Sequence, residues 1–416
     1  MEHLINLLSK GKTSFHLVDE CKKIFTEMGF ISPDTATDLS KLKPGKYIIS
    51  PYSSMLIAFV MGDRPKKLRI ATAHTDFPML KLKCNPSISK KGYLQANIEP
   101  YGGLITGTWF DRPLGLAGKI VTKGQDAFNP QVHLFDSEKP IFIIPNLAPH
   151  LKKDGKGDLD IQKEMLPIMG MEGFYQDGKI PEDVLMSYIA EQISVSKDDI
   201  LDYDLYLYVY QNPETVGIND EYLAAPRIDN ISSVAAITEA LCYGNTNPDC
   251  LSVGIFYDNE EIGSRSKQGA DSSLVKDILS KLTGNMDIYK NGFNLSLDVA
   301  HGTHPNYPEK NDITNDIPLG GGVVLKSSAS QRYVTDSEAG AVIIAICREK
   351  DIMLQRQVNR SGMPGGQTLG PIMSSYLPLF SCDLGIPMLA MHSACELVNK
   401  KDYKELVKLI KAYYEY

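Results

Sequence analysis

Nowhere in the 416 residues is there a run approaching the ~20 consecutive apolar residues that a membrane span requires, so no membrane partner is expected. The opening MEHLINLLSKGK also lacks the basic-then-apolar order of a secretory leader, which leads us to expect a cytoplasmic location. Basic residues are not in excess: 43 Lys and Arg stand against 51 Asp and Glu, giving a formal net charge of -8. The cations are scattered and form no stripe, so nucleic acid is excluded as an expected partner. Cysteine is sparse. Cys21, Cys84, Cys242, Cys250, Cys347, Cys382 and Cys395 are odd in number, dispersed and mostly set among apolar neighbours, which suits reduced thiols and offers no close thiolate pair for a zinc site. Internal repeats and coiled-coil heptads are absent as well.

What is present is an ordinary globular composition, 43% hydrophobic and 23% charged, on a chain long enough for two domains. Phe15, Val18, Cys21, Ile24, Phe25 and Met28 fall at helical spacing, predicting a helix over 14–30 with Ser14 as its cap. KKLRIATAHTD then alternates as a strand and ends in a histidine and an aspartate. Between about 80 and 204 the pattern changes to short strand-like runs, many glycines and a polar Lys-Asp-Gly stretch at 152–157, which predicts an inserted β-rich domain over 81–204. Residues 1–80 and 205–416 then form the catalytic domain. After 204, strands alternate with helices expected over 229–243, 270–282, 337–350 and 400–414, the signature of an α/β fold with a mixed, mostly parallel sheet flanked by helices.

Metal-binding side chains recur where these strands end or the next helix opens. His74 and Asp76 follow ATA, Glu260 and Glu261 follow GIFYDN, Asp298 ends NLSL, His392 follows PMLAM, and Asp229 stands at the start of a helix in APRIDN. In open α/β sheets the ligand crevice lies beyond the carboxyl ends of the strands. Two histidines and three carboxylates without cysteine suit zinc, with cobalt or manganese as substitutes. One shared carboxylate lets five ligands hold two ions, and two metals about 3.5–4 Å apart can bind a bridging water, acidify it and polarise a scissile carbonyl. In the tandem pair, one glutamate can ligate while Glu260 acts as general base. Asp76, two residues beyond His74, can orient that imidazole.

At these residues the chain resembles the aspartyl aminopeptidase and vacuolar aminopeptidase family of di-zinc metallopeptidases. The resemblance spans nearly the whole chain through AHTDFP, TWFDRPLGLAGK, APRIDN, FYDNEEIGSRSKQGA, DVAHGTHPNYPEKN, SASQRYVTD, GGQTLGPI and MLAMHSACE. It implies removal of the N-terminal residue from peptides with a free N-terminus. It also implies two zinc ions per subunit, one held by His74, Asp229 and Asp298 and the other by Asp229, Glu261 and His392. Glu260 is then the base and Asp76 the support of His74. The resemblance further implies substrate contacts from His150, His301, Lys326 and Tyr333, an inserted domain serving dimerisation and substrate access, and a homo-oligomer in the form of a tetrahedral dodecamer built from dimers.

Three other readings compete. A deacylase or carboxypeptidase on a similar two-metal fold would need a clamp for a substrate carboxylate, which Arg227, Arg265 or Arg332 could supply. A non-catalytic relative would have lost a ligand or the base, yet every expected position is occupied. A serine hydrolase has little support, since Ser264 and Ser393 lie in no Gly-x-Ser-x-Gly elbow.

Overall fold

The computed structural model describes residues 1–34, 37–63, 65–151, 159–175, 183–284, 287–363 and 365–416; the polar stretch 152–157 lies outside them. The chain divides into two units. One comprises Met1–Phe77, Pro213–Met391 and Cys395–Tyr416, and the other Pro78–Asn212 with the short segment His392–Ala394.

The first unit is built on an eight-stranded sheet in the order Gly45–Tyr52, Met55–Met61, Cys250–Tyr257, Lys67–His74, Gly292–Leu297, Phe380–Gly385, Val323–Lys326, Leu354–Gln357. The central four, from Cys250–Tyr257 to Phe380–Gly385, run parallel. Strands covered on both faces are near-continuously apolar, and every residue of Cys250–Tyr257 and Gly292–Leu297 is buried, the small polar Ser252, Asn294 and Ser296 included. A smaller sheet orders Glu214–Val216, Tyr222–Ala225, Glu396–Asn399, Pro387–Leu389 and Ala300–His301.

Ile228–Tyr243 is an interior helix: each residue from Ile228 to Thr238 is buried, because the helix lies between the sheet and the helices Glu2–Lys10 and Lys400–Glu415. Lys400–Glu415 turns one face inward, and its buried tyrosines find acceptors. Tyr413 donates to the carbonyls of Ile70 and Phe293 at 3.1 and 2.6 Å, and Tyr414 to that of Val253 at 2.9 Å. Each such aromatic adds burial of order 1.5–3 kcal/mol and, by its hydroxyl, ties the helix to a particular register of the sheet.

Sequence expectation and structure part at element ends. The helix expected over 14–30 runs Ser14–Glu27, and its cap is Thr13, whose hydroxyl oxygen accepts from the His16 amide. Helices expected over 270–282 and 337–350 run Leu274–Thr283 and Ser337–Glu349. Glu2–Lys10, which buries Leu4, Leu7 and Leu8, is a helix the sequence reading leaves out. Among the described residues no helix is long and apolar enough to cross a membrane.

The second unit is antiparallel. Its strands follow the order Ile200–Val209, Met79–Lys90, Tyr93–Tyr101, Ile168–Met171, Phe142–Ile143, Pro113–Thr122, Gln131–Asp136, and Ile200–Val209 also pairs with Pro113–Thr122. That extra pairing closes six strands into a barrel and leaves Gln131–Asp136 at the open edge. Leu82, Ile98, Trp109, Leu116, Ile120 and Leu207 fill its core. Gly118 makes closure feasible: a Cβ there would lie 2.0 Å from the Asp204 carbonyl oxygen.

Candidate metal centre

His74 is the last residue of its strand, level with Tyr257 on the neighbouring parallel strand, and Asp298 follows the end of the next. Asp229 enters beside them from the first turn of the interior helix. There Arg227 takes the left-handed conformation (φ 66°), and neither Asp229 nor Asn230 is helical. Asn259, immediately before the tandem glutamates, is left-handed too (φ 63°). Backbone conformations this costly for non-glycine residues persist where the surroundings over-determine them, and they cluster at functional sites.

The imidazole of His74 is buried. Its Nδ1 lies 2.9 Å from the carbonyl oxygen of Asp76, an acceptor only, so Nδ1 carries a proton and Nε2 is the nitrogen left to face a cation. Nε2 has no hydrogen-bond partner among the described residues, yet Asp229 Oδ1 stands 3.4 Å and Asp298 Oδ1 3.6 Å away. Ligand atoms of His74, Asp229 and Glu261 all lie within 4.8 Å of one another. A buried imidazole nitrogen facing carboxylate oxygens, which offers its lone pair once it gives up its proton, is a donor set that a cation would complete. Nitrogen and oxygen donors without sulfur fit zinc.

The electrostatics agree. Burial works against a charged His74, but Asp229, Asp298 and Asp76 outweigh it and hold its pKa well above the ordinary value. Burial raises the Glu260 carboxyl to about 8, with Asp298, Asp76 and Asp229 adding to the rise against the pull of His74. The site is therefore acidic enough to favour any positive charge that enters it.

Asp76 does more than the sequence spacing suggests. Its Oδ1 accepts from the Glu260 amide at 3.0 Å and its Oδ2 from the Glu261 amide at 3.1 Å. One carboxylate thus holds both glutamates in their turn, while its own carbonyl fixes His74. Three residues escaped the sequence reading. Glu396 accepts from the Asp229 amide at 3.0 Å, Asn230 Nδ2 donates to the Leu297 carbonyl at 2.8 Å next to Asp298, and burial and Asp76 push Asp258 up to about 7. Glu396 lies in MLAMHSACE, so its position in a matched stretch was the available signal.

His392 packs within the second unit, left-handed (φ 66°), with Nδ1 2.8 Å from the Gly103 carbonyl oxygen, which again assigns the proton to Nδ1. His150 and His301 are exposed. His301 borders a cavity of about 510 Å³ with His304, Lys310 and Arg360 on its wall. Lys326 and Tyr333 are turned inward, 1% and 3% exposed, and the Lys326 ammonium donates to the carbonyls of Asp298 and Val299.

Comparison with known proteins places this arrangement. The sequence profile of the family described as "Aminopeptidase I zinc metalloprotease (M18)" matches residues 7–414. The chain is 36% identical over 425 residues to the probable M18 family aminopeptidase 2 of Clostridium novyi, covering 99% of this chain and 97% of that one. It is 34% identical over 422 residues to the protein of the same name from Pseudomonas aeruginosa, at 99% and 97% coverage. Among solved structures, a chain of the cryo-EM structure of the Ape4 and Nbr1 complex superimposes with a TM-score of 0.93 at 31% identity, covering 99% of this chain and 84% of that chain. The Saccharomyces cerevisiae mApe1 dodecamer gives 0.85 at 25% identity, covering 100% and 96%. The chain belongs to the M18 family of zinc metallo-aminopeptidases.

Proposed function

We propose that the chain hydrolyses the N-terminal residue of peptides at a two-zinc centre in which Asp229 is shared. His74, Asp229 and Asp298 would hold one ion, and Asp229, Glu261 and His392 would hold the other. The observation that carries this reading is the buried Nε2 of His74 facing the carboxylates of Asp229 and Asp298. Zinc bound there would supply Lewis-acid polarisation of the scissile carbonyl and a more acidic water, of pKa about 7. Glu260, beside the ligands and fixed through its amide by Asp76, takes the proton of the attacking water and returns it to the leaving amine. The surrounding carboxylates receive the substrate's α-ammonium, which is why an aminopeptidase fits this site better than an enzyme needing a carboxylate clamp. His150, His301, Lys326 and Tyr333 are the proposed substrate contacts, the first two exposed and the last two buried.

We assign the chain a homo-oligomeric state, a tetrahedral dodecamer built from dimers, on the likeness to the mApe1 dodecamer. The barrel unit offers an interface: its edge strand Gln131–Asp136 exposes Val132 (53%) and Leu134 (41%) on one face. A cytoplasmic setting is consistent with seven free cysteines.

Release of fluorophore from Asp, Glu, Leu, Met and Lys conjugates tests the activity. The expected result is release from one residue class, abolished by a chelator and restored by zinc. Release that persists in chelator, or none from any conjugate with zinc bound, contradicts it.

A further inference from the structure

Asp298 reaches the metal centre from a strand end, and the backbone there is held unusually tightly. Its amide donates to the Leu384 carbonyl at 2.9 Å. Its carbonyl oxygen accepts from Lys326 Nζ at 3.1 Å, and that of Val299 accepts from the same Nζ at 3.0 Å. Gly385 closes the other side, where a Cβ would stand 1.7 Å from the Asp298 carbonyl oxygen.

The lysine is itself supported. Across the sheet, Lys326 pairs with Asp383, and Asp383 pairs on its other side with Ser296, two residues before Asp298. The Asp383 carboxylate is fully buried and accepts from the Val334 amide at 2.5 Å and from Thr368 Oγ1 at 2.7 Å, while its own amide donates to Thr335 Oγ1 at 2.9 Å. Gly370 lets that carboxylate in, since a Cβ there would lie 2.9 Å from Oδ2. Tyr333, one residue before the amide that Asp383 grips, presents its ring 5.2 Å from the Lys326 ammonium. A buried ammonium is costly unless paired and hydrogen-bonded. Here it is directed at the two carbonyls that set where the Asp298 side chain begins.

We propose that Lys326, supported by Asp383, is a positioning residue for Asp298: the ammonium clamps the Asp298 and Val299 carbonyls and so sets zinc affinity without touching the metal. This rests on the reading of Asp298 as a zinc ligand. Removing groups that orient a metal ligand typically costs 10–100-fold in metal affinity.

The test is zinc affinity by chelator competition, with folding followed by circular dichroism, for the full chain and for Asp298→Asn, Lys326→Met, Asp383→Asn and two double variants. Lys326→Met is expected to bind zinc about 10–100-fold more weakly, and to add little in the Asp298→Asn background because both act at one ligand. Should Lys326→Met fold poorly because Asp383 is left without its counter-charge, Lys326→Met with Asp383→Asn removes both charges. That pair is expected to regain thermal stability while its zinc affinity stays low, which a merely structural lysine would not produce. Wild-type zinc affinity in folded Lys326→Met, its recovery in that pair, or a full additive loss in the Asp298→Asn background overturns the proposal. Wild-type zinc content and affinity in Asp298→Asn instead overturns the ligand assignment beneath it.

Discussion

At the scale of single residues, the site is arranged around charge. His74 is held well above its ordinary pKa by Asp229, Asp298 and Asp76 in spite of burial, and Glu260 is raised to about 8. In the metal-free protein at neutral pH both groups therefore carry protons, and a ligating imidazole must release its own. The sign follows: zinc affinity rises with pH from 6 to 8, and binding at pH 7 ejects protons. Calorimetry in buffers of different ionisation enthalpy measures this; a heat independent of buffer, with affinity flat across that range, contradicts the acid-held site. Neutralising the carboxylates of Asp229 and Asp298 removes their share of the upward push on Glu260, which moves it toward the ionised form a base needs. His74 and Asp298 were legible in sequence because a strand pattern ended at each. Asp76's hold on the amides of Glu260 and Glu261 was not, because it joins residues 184 and 185 positions apart. Lys326 was legible as a residue of interest only through family resemblance, since nothing in LKSSASQRY announces a buried charge.

At the scale of elements, patterns of local period were readable and pairings were not. The parallel core strands are short and largely apolar, broken by small polar residues such as Ser252, Asn294 and Ser296, and the helix expected over 337–350 ends within a residue of that, at Glu349. The cap lies at Thr13, one position before the expected Ser14: neighbouring Thr and Ser both suit an N-cap, and the extended backbone at Thr13 (φ -141°) with its hydroxyl accepting from the His16 amide distinguishes them. Barrel closure pairs Pro113–Thr122 with Ile200–Val209, a register no local signal encodes. Gly118 tests that closure. Gly118→Ala forces a Cβ to 2.0 Å from the Asp204 carbonyl oxygen at φ +154°, and it should cost about 1–3 kcal/mol in urea unfolding. An unchanged midpoint contradicts the close approach.

At the scale of the whole molecule, the proposed assembly depends on exposed apolar surface that a lone chain has no use for. Val132 and Leu134 share one face of an edge strand, so Leu134→Glu should break an interface built there. Light scattering is expected to shift from twelve-fold chain mass to smaller species, whereas an intact dodecamer places the interface elsewhere. The central claim is nevertheless chemical, that zinc and Glu260 act together in one centre. The most direct measurement is zinc content and turnover on the same sample of Glu260→Gln, a near-isosteric change that removes only the proton acceptor. The account predicts two zinc ions per chain retained and turnover reduced about 10²–10⁴-fold. Turnover near that of the unaltered protein, with zinc in place, would contradict it.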